Sequence, residues 1–179
     1  MATAIASRYA RALADVVSRT GEYRRTLDDL QAFAAVYRQS AELRDVLRTP
    51  AIALADKRRI LEALLARLGP SATVANFLRV LLANYRLPAL KGIIEAFAKI
   101  ANERMGIAQV RIASAAELSE DERRTLVARF ETITRKRAEV EFDVDAKLLG
   151  GITAQMGSTI YDGSVRGHLQ RIRERLMSR

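Results

Sequence analysis

The period of the apolar residues changes once along this chain, near Gly106, and that change limits the fold to two dissimilar parts. Up to about Met105 apolar residues recur every three or four positions, which collects them on one face of a helix. Beyond Gly106 they first alternate with polar ones, which collects them on one side of a strand. A single uniform architecture cannot accommodate both periods. The chain has 179 residues, enough for two small domains. The expected division is a helical domain at 1–105 and an α/β domain at 106–179.

Six helices are expected in the first part. One runs from about Ala4 to Arg19 and closes at Thr20-Gly21. A second runs from Glu22 to Gln39, with Leu27, Leu30, Phe33, Ala34 and Tyr37 on one side. Ser40 caps a short third helix that Thr49-Pro50 stops. The fourth carries Ile60, Leu61, Leu64, Leu65 and Leu68 and ends at Gly69-Pro70. A fifth spans Ser71 to Tyr85 on a stripe of Val74, Phe77, Leu78, Leu81 and Tyr85. The sixth has Pro88 near its first turn and buries Ile93, Ile94, Phe97 and Ala101. Short connections between short helices predict an all-α six-helix bundle.

The second part reads β-α-β-β-α, a small α/β domain. Ala108, Val110 and Ile112 make one strand, and Ser119 with Glu122 opens a helix by a capping box. Val140, Phe142 and Val144 alternate with Glu139, Glu141, Asp143 and Asp145, so that strand has an apolar and an acidic face. A third strand is expected over Ile152 to Tyr161, then a turn at Asp162-Gly163. Ser164 caps a last helix with Val165, Leu169, Ile172 and Leu176 at helical spacing.

Composition removes several function classes. No apolar run approaches the ~18 residues of a membrane span. The chain has no cysteine, which excludes disulfides, thiolate nucleophiles and cysteine-ligated metals. With one histidine, His168, a metal site has little to draw on. Ser164, Asp162 and His168 offer the elements of a triad, but a helix cap and a turn account for Ser164 and Asp162 more simply. Gly150-Gly151 through Gly157-Ser158 lacks the lysine and the spacing of a phosphate loop. No enzyme activity and no cofactor are expected.

Net charge is +9, which points to an anionic partner. Nucleic acid fits poorly, because the 30 Lys and Arg are spread among 21 acids and aromatics do not interleave with them. The dense run Arg135, Lys136 and Arg137 is explained by a solvated helix end. The basic, alanine-rich start resembles a transit peptide, but its unbroken helical period favours an intact N-terminus and a bacterial source.

Two helices carry more apolar surface than a bundle needs. In the first, Arg8, Arg11, Asp15, Ser18 and Arg19 share a polar arc, leaving an apolar arc of about 200°. An outer helix needs roughly half of that for its own core. The excess marks a central helix or one with a second helix packed on it, and Ala10 and Ala14 would admit a close partner. In the fifth, Val80 stands off the core stripe between Asn76 and Asn84. Taken together they suggest a groove for an amphipathic helix. The last helix, with Arg166, Arg171, Arg173 and Arg175 around its apolar stripe, suits an acidic partner segment or an anionic surface.

Leu148-Leu149-Gly150-Gly151-Ile152 to Gly157, followed by Asp162-Gly163-Ser164-Val165-Arg166-Gly167-His168-Leu169, resembles the C-terminal signature of the ATP synthase delta (OSCP) family. Ala6-Ser7-Arg8-Tyr9-Ala10-Arg11-Ala12-Leu13 is similar to that family's first helix. The resemblance implies a non-catalytic stator connector, one copy per complex, at the cytoplasmic face of a bacterial cell membrane and reaching that membrane only through the complex. It implies that the helical domain binds N-terminal helices of the alpha subunits in a groove of the first and fifth helices. Tyr9, Ala12, Leu13 and Val80 are the expected groove residues. The C-terminal domain is implied to join the C-terminal ends of the peripheral-stalk b subunits, with Gly151, Asp162, Ser164, Arg166 and Leu169 as candidates. A free-standing helical adaptor unrelated to ATP synthesis is the competing reading, and co-purification with head and stalk subunits separates the two.

Overall fold

A computed structural model describes residues 2–157 and 159–177, with side chains for all of these but 2, 3 and 171–176. The expectations that rest on Ser158 and on the side chains of Arg171, Ile172, Arg173, Arg175 and Leu176 lie outside the described residues. The chain divides into two compact units, Met1–Ala101 and Asn102–Arg179. The helical unit precedes a part built on a four-stranded mixed sheet.

The helical elements are α1 (Ala2–Val17), α2 (Tyr23–Gln39), α3 (Ala41–Arg48), α4 (Leu54–Leu68), α5 (Ala72–Ala83) and α6 (Leu90–Met105), with a 3-10 turn at Leu87–Ala89. Their ends follow side-chain chemistry. The Ser40 hydroxyl accepts from the Leu43 N–H at 3.0 Å and starts α3; Ser71 does the same for Val74 and starts α5. The Ser71 N–H in turn donates to the Asp29 carboxylate at 2.8 Å, tying the start of α5 to α2. Ala10, Leu30, Phe33, Leu61, Val74, Leu78, Ile93 and Phe97 form the core. Arg79 on α5 grips Glu62 on α4 through two parallel hydrogen bonds of 2.7 and 2.8 Å.

Two placements depart from the periodicity. Tyr85, expected on the core stripe of α5, is 57% exposed. The helix has ended at Ala83, and Tyr85 takes a positive φ of 56° that turns its ring away from the stripe. Beneath that ring lies the fully buried Lys57, its Nζ 5.2 Å from the ring centroid. The aromatic face gives the buried ammonium an electrostatic partner that hydrogen bonds do not.

In the second unit β1 (Ile107–Ser114) is followed by α7 (Glu120–Thr134), β2 (Arg137–Val144), β3 (Gly151–Met156), β4 (Thr159–Ser164) and α8 (Val165–Met177). The sheet order is β2-β1-β3-β4; β2 runs parallel to β1, and the β1–β3 and β3–β4 pairs are antiparallel. Val110, Ile112, Phe130 and Ala154 make the core between α7 and one face of the sheet, with Leu126, Val140 and Phe142 packed around them. The capping box that opens α7 is complete: the Ser119 hydroxyl accepts from the Glu122 N–H, and the Glu122 carboxylate accepts from the Ser119 N–H at 2.8 Å.

The expected third strand over Ile152 to Tyr161 is instead a hairpin, so the order is β-α-β-β-β-α in place of β-α-β-β-α. Met156 pairs with Thr159, which leaves a two-residue loop, and Gly157 takes the φ of +59° such a reversal needs. Asp162 and Gly163, expected in a turn, lie inside β4 and pair with Thr153 and Ile152.

Two carboxylates tie stability to pH. Hydrogen bonds from Arg79 hold Glu62 below the usual carboxylate range, and those from the Ser119 hydroxyl and N–H do the same for Glu122. A depressed folded-state pKa gives stabilisation that is complete above the unfolded-state value and is lost as pH falls through the lower folded value. The melting temperature should therefore fall as pH drops below the ordinary carboxylate value of about 4.5. Thermal denaturation of Glu62→Gln/Glu122→Gln should show a shallower acid decline than the parent.

Candidate docking surfaces

The circumference of α1 is divided three ways. Ala6, Ala10, Leu13, Ala14 and Val17 are buried, none more than 5% exposed. Arg8, Arg11, Asp15 and Ser18 face water. Between these arcs, Ile5 and Tyr9 are half-buried, while Ala12 is exposed and Val16 is 55% exposed. Positions 5, 9, 12 and 16 are spaced by four, three and four, so they form one stripe along the helix.

A matching stripe runs along α5. Val74, Ala75, Leu78, Leu81 and Leu82 are buried, whereas Asn76, Val80, Ala83 and Asn84 are exposed and Phe77 is half-buried. The Tyr9 and Phe77 rings meet edge-on, 6.4 Å between centroids and 68° between planes, which sets the two stripes side by side. A helix laid along this seam would find apolar contacts on both walls: Tyr9, Ala12 and Val16 on one, Phe77 and Val80 on the other.

Among the expected groove residues, Tyr9, Ala12 and Val80 reach this seam, and Leu13 lies in the core at 3% exposure. Ala10 and Ala14 are fully buried, so their small side chains admit neighbours within the unit and not an outside helix. Small residues serve the same purpose where α6 crosses α1: a Cβ built on Gly92 would stand 3.4 Å from that of Ala6. Val16 was part of the apolar arc in the sequence, but periodicity could not tell which part of that arc the neighbours would cover.

A second hollow of about 830 Å³ lies between α2 and α6. Its lining includes the half-buried Ala34, Ala35 and Ile94, and Arg38, Arg44 and the Lys91–Glu95 pair stand around it. The sequence does not mark it, because Ala34 and Ile94 fall on the apolar sides of their helices with residues that are buried.

The second unit carries its own apolar surface on β4 and α8. Ile160, Tyr161, Val165 and Leu169 are 65%, 46%, 45% and 57% exposed, and Arg166 is exposed among them. Leu169 and Arg166, two of the expected stalk residues, thus present their side chains outward. The other three are engaged locally. Ser164 is buried, and its hydroxyl accepts from the Gly167 N–H at 3.1 Å. The Asp162 carboxylate accepts from the Ser164 N–H at 2.8 Å. Gly151 has a φ of +80°, and a Cβ there would run into the Gly163 carbonyl. Ser164 thus caps α8, the role its place in the sequence suggests, and His168 is exposed. Among the described residues no cluster of His, Cys, Asp or Glu is arranged to hold a metal, and no helix is long and apolar enough to cross a membrane.

A family model described as ATP synthase delta (OSCP) subunit matches residues 5–176. Among similar proteins, the ATP synthase subunit delta of Acidobacterium capsulatum is 40% identical, over 98% of this chain and 99% of its own. That of Myxococcus xanthus is also 40% identical, over 98% and 97%. Among solved structures, a chain of the Toxoplasma gondii mitochondrial ATP synthase hexamer superimposes with a TM-score of 0.69 at 21% identity, covering 96% of this chain and 97% of that one.

The burial pattern along α1 separates residues that hold the fold from those that line the seam. Leu13→Ala should cost about 2–5 kcal/mol of stability in urea denaturation, because it opens a cavity in a packed core. Val16→Ser should stay within about 0.5 kcal/mol of the parent, since its side chain stands largely in water.

Proposed function

The chain belongs to the ATP synthase delta (OSCP) subunit family, and on that premise we propose that the seam between α1 and α5 seats an amphipathic N-terminal helix of an alpha subunit. Members of this family are non-catalytic, and this chain is a stator component that links the catalytic head to the peripheral stalk. Proton flow turns a rotor within the head, and the stator keeps the head from turning with it, so that rotation is coupled to ATP synthesis. Family membership sets aside the reading as an unrelated adaptor.

A connector contributes no reacting group. It must hold on both sides for longer than a turnover, so slow dissociation is what its surfaces have to supply. A helix in a groove meets that need, because several apolar anchors must leave together. The observation that carries the seam is the stripe of the half-buried Tyr9 and the exposed Ala12 and Val16 beside the half-buried Phe77 and the exposed Val80. It is apolar surface that the unit leaves in water although its own core is complete.

The division of labour follows. Residues 1–105, acting as one six-helix bundle, bind the head, and residues 106–179 bind the C-terminal ends of the b subunits. On the second unit, Ile160, Tyr161, Val165 and Leu169 supply the apolar contact, and Arg166 favours an acidic partner segment. One copy serves each complex. It sits peripherally at the cytoplasmic face of a bacterial membrane, held there by its partners.

Calorimetric titration of the full chain with a peptide from the N-terminus of the same organism's alpha subunit tests the seam. Tyr9→Ala and Val80→Asp should each weaken binding about tenfold, with melting temperatures near the parent's. Parental affinity in both variants would overturn the seam. If Ile94→Asp alone then weakened binding, the helix would belong in the α2–α6 hollow.

A further inference from the structure

Three glycines of the C-terminal signature, Gly150, Gly151 and Gly167, and its one acid, Asp162, converge at the start of α8. Ser164 closes β4 and caps the helix through the Gly167 N–H. The Val165 N–H donates to the Gly150 carbonyl at 3.0 Å, which joins the first residue of α8 to the loop before β3. Gly151 lies against the backbone of Gly163 and Ser164, with an added Cβ only 3.0 Å from the Ser164 Cα. The Asp162 carboxylate accepts from the Ser164 N–H with one oxygen, and its other oxygen rests on Gly167. A Cβ on Gly167 would fall 2.8 Å from the Asp162 Cγ, inside the 3.4 Å at which ordinary contact begins.

A glycine in the first turn of a helix is a poor choice on propensity alone. Here its missing side chain is the space that the Asp162 carboxylate occupies. A carboxylate at that place also faces the positive end of the α8 dipole. Alanine at Gly167 would displace the carboxylate and release the Ser164 N–H.

We propose that Asp162 and Gly167 form a clasp that fixes the direction in which α8 leaves the sheet, and so act as positioning residues for stalk docking without touching the stalk themselves. The proposal rests on the reading of β4 and α8 as the stalk-binding surface. Val165 and Leu169 lie on α8, and Ile160 lies on β4 on the same side of the strand as Asp162, so a change in the angle of α8 moves the apolar residues of the helix away from that of the strand. The signature then encodes the shape of the surface, and the contact itself falls to the exposed apolar residues around it.

The test uses the full chain and the C-terminal segment of the same organism's b subunit. Because the chain has no cysteine, spin labels at Arg129→Cys and Met177→Cys report the α7–α8 distance without background. Gly167→Ala should weaken binding about tenfold and shift that distance, whereas Asp162→Asn, which keeps the acceptor, should bind within about twofold of the parent. In an Asp162→Ala background, Gly167→Ala should cost no more than about a further twofold, since nothing is left for the methyl group to displace. Equal penalties in both backgrounds, parental binding by Gly167→Ala, or an Asp162→Asn as weak as Asp162→Ala would each overturn the clasp. If Gly167→Ala does not fold, Asp162→Asn against Asp162→Ala decides by the same criterion. Failure of the parent chain to bind the b segment would instead overturn the stalk-binding reading. The label distance still judges the clasp in that case, and an unchanged distance in Gly167→Ala sinks it.

Discussion

The burial of α1 against its neighbours governs what the helical unit offers to a partner. A helix has a fixed circumference, and residues given to the core are lost to the surface. Ala6, Ala10 and Ala14 bring the backbones of neighbouring elements close. Close approach lets a narrow strip of α1 satisfy the core with little side-chain volume. The stripe of Ile5, Tyr9, Ala12 and Val16 is what remains beside α5 once that packing is complete. Turning α1 by one residue would carry Tyr9, Ala12 and Val16 into the places of Ala10, Leu13 and Val17 and put Arg8, Arg11 and Asp15 on the stripe, and the seam would be gone.

The second unit applies a different economy. Its sheet puts one face under α7, where Val110, Ile112, Phe130 and Ala154 make a small core. Strand β4 lies at the edge of the sheet, and α8 follows it directly, so both stand apart from that core. Their orientation depends on the hydrogen bonds around Ser164 and on the close approach at Gly167 and Gly151. Polar groups and glycines thus shape this surface, while the residues that make it adhesive are apolar and few. A connector built this way keeps its contact residues outside the cores that hold each unit together.

Much of this was legible in the chain itself. The switch in period at Gly106 gave the helical part and the α/β part, and Ser40, Ser71 and Ser119 cap the helices they were expected to start. Val80 stood out because it was apolar on a polar helix face, and it is exposed on α5. The hairpin at Gly157 was also written in the sequence as a glycine flanked by strand-forming residues, but the run from Ile152 to Tyr161 reads equally well as one strand. Local pattern alone does not say whether an apolar run continues or doubles back. Antiparallel pairing with β1 and β4 decides it.

Sequence by itself determined which residues are apolar, where helices begin and end, and which motif the C-terminal part carries, because these depend on side-chain chemistry within a few residues. Only the tertiary structure decided how the apolar arc of α1 is shared. Leu13 and Val16 are both apolar and one helical turn apart, yet one is in the core and the other in water. Likewise, only the fold shows that Asp162, Ser164 and Gly151, expected at the stalk contact, also engage the backbone around them. Periodicity fixes the face on which a residue lies, but the element packed against that face is set by contacts distant in sequence, and local pattern carries no record of them.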